Sequence, residues 1–175
     1  METTSTGRLR KLAAKFSNLS RPDGSAILAQ GETVVQAGVY GPVEVKQMRE
    51  HPEKATVELL ACAINAACLA AIDAAVSMKC HIAAVTAAIT NTGIIVLDPD
   101  GQQEQEARAV CTFSFESQES KLVSTHTSGQ FSKEEFQRCL VLSKAAAGDI
   151  FAFYQDALQK RYCRSLEADG DSDDD

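Results

Sequence analysis

Between Leu19 and Lys46 the chain reads LSRPDGSAILAQGETVVQAGVYGPVEVK, and nearly every residue there has a legible local role. Arg21-Pro22-Asp23-Gly24 has Pro second and Gly fourth, the chemistry of a type I turn. Ser25 to Ala29 then reads as a short strand. Gln30-Gly31-Glu32 breaks it, and Thr33 to Tyr40 continues as a β-branched strand. Gly38 inside that strand signals a bulge or a close backbone approach. Gly41-Pro42 ends it, and Val43 to Lys46 resumes with strict alternation. The segment is a tight meander with one face buried.

On its N-terminal side, Arg8, Arg10, Lys11 and Lys15 form a basic lead-in behind six residues expected to be disordered. On its C-terminal side, Gln47 to Lys54 is a polar loop and Ala55 to Glu58 reads as the start of a further strand. Leu59 to Val76 is an Ala- and Cys-rich helix. Cys80 to Thr90 reads as a buried strand, Asn91-Thr92-Gly93 as a hairpin turn and Ile94 to Leu97 as the return strand. Asp98-Pro99-Asp100-Gly101 repeats the turn chemistry, and Gln102 to Glu106 is polar. Ala107 to Phe115 alternates, with Cys111, Phe113 and Phe115 on one face; Lys121 to Thr127 pairs back after a turn at Ser117 to Ser120. Ser132 and Glu135 form a capping box opening a long helix to about Arg164. Residues 166–175 form an acidic tail that cannot bury apolar surface. Strands, helix, strands, helix give an α+β, mixed α/β, layering.

Composition excludes several classes. The 175 residues are 45% hydrophobic and 23% charged, an ordinary globular balance. The formal net charge is -7, but six of the negatives are Glu167, Asp169, Asp171, Asp173, Asp174 and Asp175, so the rest carries only -1. A nearly neutral body argues against strong nucleic-acid binding by the isolated chain, though not against a basic patch on a shared surface. The six Cys contain no C-x-x-C pair, so no zinc site is signalled. METTSTGRLRKL has no apolar run, so no signal peptide is expected and reduced thiols in cytosol or nucleus are the simple reading. Leu59 to Val76 approaches membrane-spanning length, but Asn65, Asp73 and an Ala-rich bulk fit a buried helix instead.

Few residues carry chemistry. The basic lead-in, with Arg8, Arg10, Lys11 and Arg21, is the best candidate for contact with backbone phosphates; an ordinary solvated edge explains it equally well. His51, His81 and His126 are scattered without partners at ligand or nucleophile spacing and read as structural. Asn65 and Asp73 lie on roughly one helix face and read as core polar groups bonded to neighbouring backbone. No catalytic residue, metal ligand or cofactor is assigned.

The blocks R-P-D-G (Arg21 to Gly24), S-A-I-L-A-Q-G-E-T-V-V (Ser25 to Val35) and G-V-Y-G-P (Gly38 to Pro42) resemble the start of the RNase PH-like domain. Leu59 to Lys79, Ile94 to Phe115 and Phe153 to Ser165 resemble later parts of the same domain in the same order. Within the family the likeness is to ring subunits of the eukaryotic RNA exosome, and it spans Gly7 to Ser165. The resemblance implies the sheet-and-helix layers shared with the second domain of ribosomal protein S5. It implies RNA degradation and rRNA processing in nucleus, nucleolus and cytoplasm. It also implies RNase PH-like ring neighbours, cap subunits, RNA as a shared ligand, and no membrane.

The resemblance also sets what is missing. In active members a Gly-rich turn ending in Thr-Arg opens the first central helix and holds phosphate. Here Glu58-Leu59-Leu60-Ala61 stands there, so the expected role is non-catalytic. Asp98 and Glu104 match the acidic stretch that serves metal and proton transfer; a solvated Asp/Pro/Gly turn is the simpler reading. The alternative is a weak phosphorolytic or metal-dependent 3′-to-5′ exoribonuclease using those two acids. Between Glu58 and Leu59 the family normally has the end of a strand, an Arg-bearing helix and another strand. The fold is therefore expected to be incomplete in the middle, with an unpaired sheet edge and an exposed helix face.

Overall fold

A computed structural model describes residues 9–40 and 57–169. Its elements are β1 (Leu12–Phe16), β2 (Gly24–Gln30), β3 (Thr33–Val39), α1 (Val57–Asp73), β4 (Ile82–Ile89), β5 (Ile95–Leu97), α2 (Gly101–Glu106), β6 (Ala109–Glu116), β7 (Leu122–Gly129) and α3 (Lys133–Asp169). The strands form two antiparallel sheets, ordered β1-β2-β3 and β5-β4-β6-β7. This is the expected mixed α/β layering. The expected strand at Val43 to Lys46 and loop at Gln47 to Lys54 lie outside the described residues, as does Arg8.

One core joins the two sheets through the helices. Ala26 and Leu28 of β2 meet Cys62, Ala66, Leu69 and Ala70 of α1. Val85 and Ile89 of β4, with Cys111, Phe113 and Phe115 of β6, meet Cys139, Ala147, Ile150 and Tyr154 of α3. Ala at many α1 positions lets the helix approach both sheets closely, since no long side chain intervenes. Gly24 shows how closely: a Cβ there would lie 2.2 Å from the Ala74 backbone nitrogen. No helix among the described residues is long and apolar enough to cross a membrane.

Buried polar groups on α1 stitch it to backbone, as their positions suggested. Asn65 accepts from the Ala84 N–H at 2.7 Å and donates to the Ala84 carbonyl at 2.9 Å. It thereby satisfies β4 where β5 does not reach, because β5 pairs only with Ala87 to Ile89. The Tyr154 hydroxyl sits 3.4 Å from the Asn65 and Ile82 carbonyls, and its burial pushes the phenol well above its ordinary pKa.

Several local expectations need correcting. Val57 and Glu58 open α1 rather than belonging to the strand expected to start at Ala55, so the expected junction between Glu58 and Leu59 falls inside a helical turn. Asp100 is a helix cap, not part of a plain turn: Gln103 N–H donates to its Oδ1 at 2.8 Å, and Gln103 Oε1 accepts from Asp100 N–H at 3.0 Å. This capping box makes Gly101 to Glu106 helical. Gly38 lies in regular register opposite Ser25, so there is no bulge; its role is close approach, with a Cβ falling 3.3 Å from Leu19 Cδ1. β1 is a strand inside the basic lead-in, and α3 continues past Arg164 to Asp169.

Candidate functional site

One charged node ties the two sheets together and a second ties α1 and α3 to the first sheet; the former holds two of the residues singled out in the sequence. Arg10 lies two residues before β1, and Asp98 immediately follows β5. Asp98 Oδ1 accepts from Arg10 Nη2 at 2.7 Å, and Oδ2 accepts from Arg10 Nε at 3.0 Å and from the Arg10 backbone N–H at 2.9 Å. A planar guanidinium meeting a carboxylate by two parallel bonds is the strongest form of this pairing. The Asp98 side chain is 7% exposed and that of Arg10 23%.

The backbone is shaped to permit the pair. Asp98 has φ 52°, a left-handed conformation that Asp tolerates better than most residues. Its N–H donates to the Thr86 carbonyl at 2.8 Å, fixing the turn out of β5. On the other side Gly31 has φ +61°, and a Cβ there would come 2.8 Å from Arg10 Cδ. Gly31 therefore serves both the β2–β3 turn and the seat of the arginine stem. A shallow cleft of ≈ 430 Å³ lies beside the pair, lined by Arg10, Gly31, Glu32, Thr33, Asp100 and Gly101.

Among the described residues, the proposed RNA contacts Arg10, Lys11 and Arg21 are not brought into one patch. Arg10 turns inward to Asp98, whereas Lys11 and Arg21 are exposed at opposite ends of the β1–β2 hairpin, separated by roughly 17 Å of strand. Glu104 lies in the first turn of α2, with its Oε1 buried. Asp98, the other member of the acidic stretch, is committed to a cation of the same chain.

The second node is Asp73, the last residue of α1. Its Oδ2 accepts from the Ser25 N–H at 2.7 Å and from the Ser17 N–H at 3.2 Å, and Arg161 of α3 pairs with its Oδ1. Arg161 also donates to Ser17 Oγ at 2.8 Å and stacks over Phe16, 5.2 Å from the ring centroid. Sequence reasoning placed Asp73 in the core but missed Arg161 and Ser17. The spacing of 88 residues between Asp73 and Arg161 offers no local signal.

Comparison with known proteins accounts for this architecture. The pattern of the 3′ exoribonuclease family, domain 1 (RNase PH), matches residues 8–59, and that of domain 2 matches residues 80–146. The chain belongs to this RNase PH-like family. An Arabidopsis thaliana protein called exosome complex exonuclease RRP46 homolog is 26% identical over 221 positions, covering 87% of this chain and 92% of the relative. The crystal structure of rice (Oryza sativa) Rrp46 superposes with a TM-score of 0.77 at 25% identity, covering 89% of this chain and 98% of that one. An Archaeoglobus fulgidus exosome with RNA bound to the active site shares the fold, with a TM-score of 0.64 at 14% identity over 85% of this chain and 89% of that one. In this RNase PH-like chain, then, the Arg10–Asp98 pair sits where the two family domains meet, since Arg10 lies in the first match and Asp98 in the second.

Proposed function

We propose that this chain is a non-catalytic structural subunit of the RNA exosome ring, supporting 3′-to-5′ RNA degradation and rRNA processing. Its neighbours would be other RNase PH-like ring subunits and cap subunits, with RNA as a ligand shared among them. It would act in nucleus, nucleolus and cytoplasm. Membership of the family and likeness to RRP46 proteins support the exosome role.

The observation that supports a non-catalytic role is the bidentate Arg10–Asp98 pair. An acid used for metal binding or proton transfer must present its oxygens to the ligand or the substrate. Asp98 instead uses both on Arg10, in a site largely closed to water. The opening of α1 agrees: Val57-Glu58-Leu59-Leu60 supplies neither a Gly-rich turn nor a guanidinium for phosphate. The curated relatives are called exonucleases, which keeps a weak exoribonuclease as the second reading.

We also propose that the chain is a shortened form lacking a family segment between Glu58 and Leu59. The Arabidopsis alignment runs over 221 positions, more than the 175 residues of this chain, so that relative has residues with no counterpart here. The first family match ends at residue 59, beside the junction.

Two measurements test the reading. Affinity purification of tagged chain from nuclear extract, with mass spectrometry, should recover the ring and cap subunits in stoichiometric amounts. Recovery of the chain alone or with chaperones would overturn the assembly role. Incubation with oligo(A) and inorganic phosphate should release no nucleoside diphosphate; release that disappears in Asp98→Asn, at a temperature where that variant is still folded, would favour the exoribonuclease instead.

A further inference from the structure

β1 is an edge strand whose outer side borders a groove. The Gly31 N–H donates to the Lys11 carbonyl at 3.1 Å, and the Ser17 N–H donates to the Ser25 carbonyl at 2.9 Å. Ladder bonds in an antiparallel pair fall on alternate residues. Odd-numbered residues of β1 therefore direct their backbone groups to β2. Leu12, Ala14 and Phe16 direct theirs to the opposite side, where no strand among the described residues pairs with them. That side opens into a groove of ≈ 450 Å³, and its far wall is α3 at Phe153, Asp156, Ala157, Lys160 and Arg161.

An open strand edge beside a helix is the geometry in which extended peptides add to sheets. The side chains state what such a peptide must look like. Leu12, Ala14 and Phe16 turn toward the protein, whereas Lys11, Ala13 and Lys15 are exposed on the other face. A strand laid against β1 would place alternate residues over Phe153 and Ala157, and the others beside Lys11 and Lys15. The first set must be apolar and the second acidic. Single-stranded nucleic acid suits the groove less well, because Phe16, one of the two aromatic rings lining it, is already covered by Arg161.

We infer that the groove between β1 and α3 takes an extended segment of a partner protein as a fourth strand. That segment alternates apolar residues with Asp or Glu. It is a binding property of the isolated chain, separate from the exosome reading.

The test uses the full chain and two labelled ten-residue peptides, one alternating Val with Glu and the other Val with Lys, followed by fluorescence anisotropy. The Glu peptide should bind about tenfold more tightly than the Lys peptide. Ala14→Pro removes an outward N–H that makes no bond to β2, a substitution an edge strand tolerates. It should weaken the Glu peptide about tenfold while leaving the melting temperature near the parent's. A double charge reversal, Lys11→Glu with Lys15→Glu, should invert the peptide preference, and it decides the matter alone if Ala14→Pro does not fold. Equal binding of both peptides, unchanged binding by Ala14→Pro, or displacement of the peptide by oligo(A) with no effect of Ala14→Pro would each overturn the inference.

Discussion

Arg10 and Asp98 are joined by three bonds of 2.7 to 3.0 Å across 88 positions of sequence, and they clamp the entry of β1 to the exit of β5. Removing the carboxylate charge leaves a partly buried guanidinium without its anion, which costs more than a surface pair is worth. Asp98→Asn should destabilise the chain by about 2 kcal/mol. Asp98→Ala should lose about 1 kcal/mol more, because Asn tolerates the left-handed backbone at this position and Ala does not. Urea melts of the two variants check both the size and the order.

The Asp73 node should be more sensitive. Its carboxylate accepts from two backbone amides and pairs with Arg161, and its side chain is 2% exposed. Asp73→Ala leaves those donors without an acceptor, at a cost of about 3 kcal/mol or more. Arg161→Met leaves the buried Asp73 carboxylate without its cation but keeps the amide bonds and much of the contact with Phe16, so a smaller loss of about 2 kcal/mol is expected. If the two variants destabilise equally, the amide bonds contribute little and the ion pair dominates the node.

The sequence made the meander, the Ala-rich helix, the hairpin at Asn91 to Gly93 and the capped last helix legible, because turn residues and periodicity act locally. β1 was hidden because its solvent face carries Lys11 and Lys15, which read as a charge cluster, while Leu12, Ala14 and Phe16 formed a pattern only five residues long. α2 was hidden because Asp-Pro-Asp-Gly suits a turn and a helix cap equally. The charged nodes were the least legible. Arg10 and Asp98 were each singled out, but for different roles, and nothing local says that residues 88 apart meet. Asn65 and Asp73 could be assigned to the core because polar residues within an apolar helix must be satisfied by backbone nearby.

The thiols should divide by burial. Burial pushes the Cys111 thiol up to about 11, and burial with the neighbouring Cys111 pushes Cys139 to about 12. Thiolate is the reacting species, so both stay inert at neutral pH. Cys68 is also raised by burial, partly offset by its bond from the Ile82 N–H. Cys163 is exposed and Cys80 half-buried. Titration of the native chain with a coloured disulfide reagent should therefore show Cys163 reacting first, Cys80 more slowly, and all six thiols only in denaturant. Rapid reaction of all six without denaturant would mean that the core around α1 and α3 is open in solution.

Acid should loosen the start of α3 before the rest. Glu135 accepts from the Ser132 N–H at 2.8 Å and pairs with Arg108, while its own N–H donates to Ser132 Oγ at 3.2 Å. The Ser132 backbone bond, helped by Arg108, holds the Glu135 carboxyl below its ordinary range despite some opposing desolvation. A carboxyl that titrates lower when folded than when unfolded stabilises the fold above its unfolded pKa. That contribution declines as pH falls through the folded value and is gone below it. Glu135→Gln should accordingly lower the melting temperature at pH 7, and the gap between parent and variant should close as the pH falls toward 3. Thermal melts of both proteins across that range read the effect directly. A gap that stays constant with pH would assign the role of Glu135 to its shape and hydrogen bonds rather than its charge.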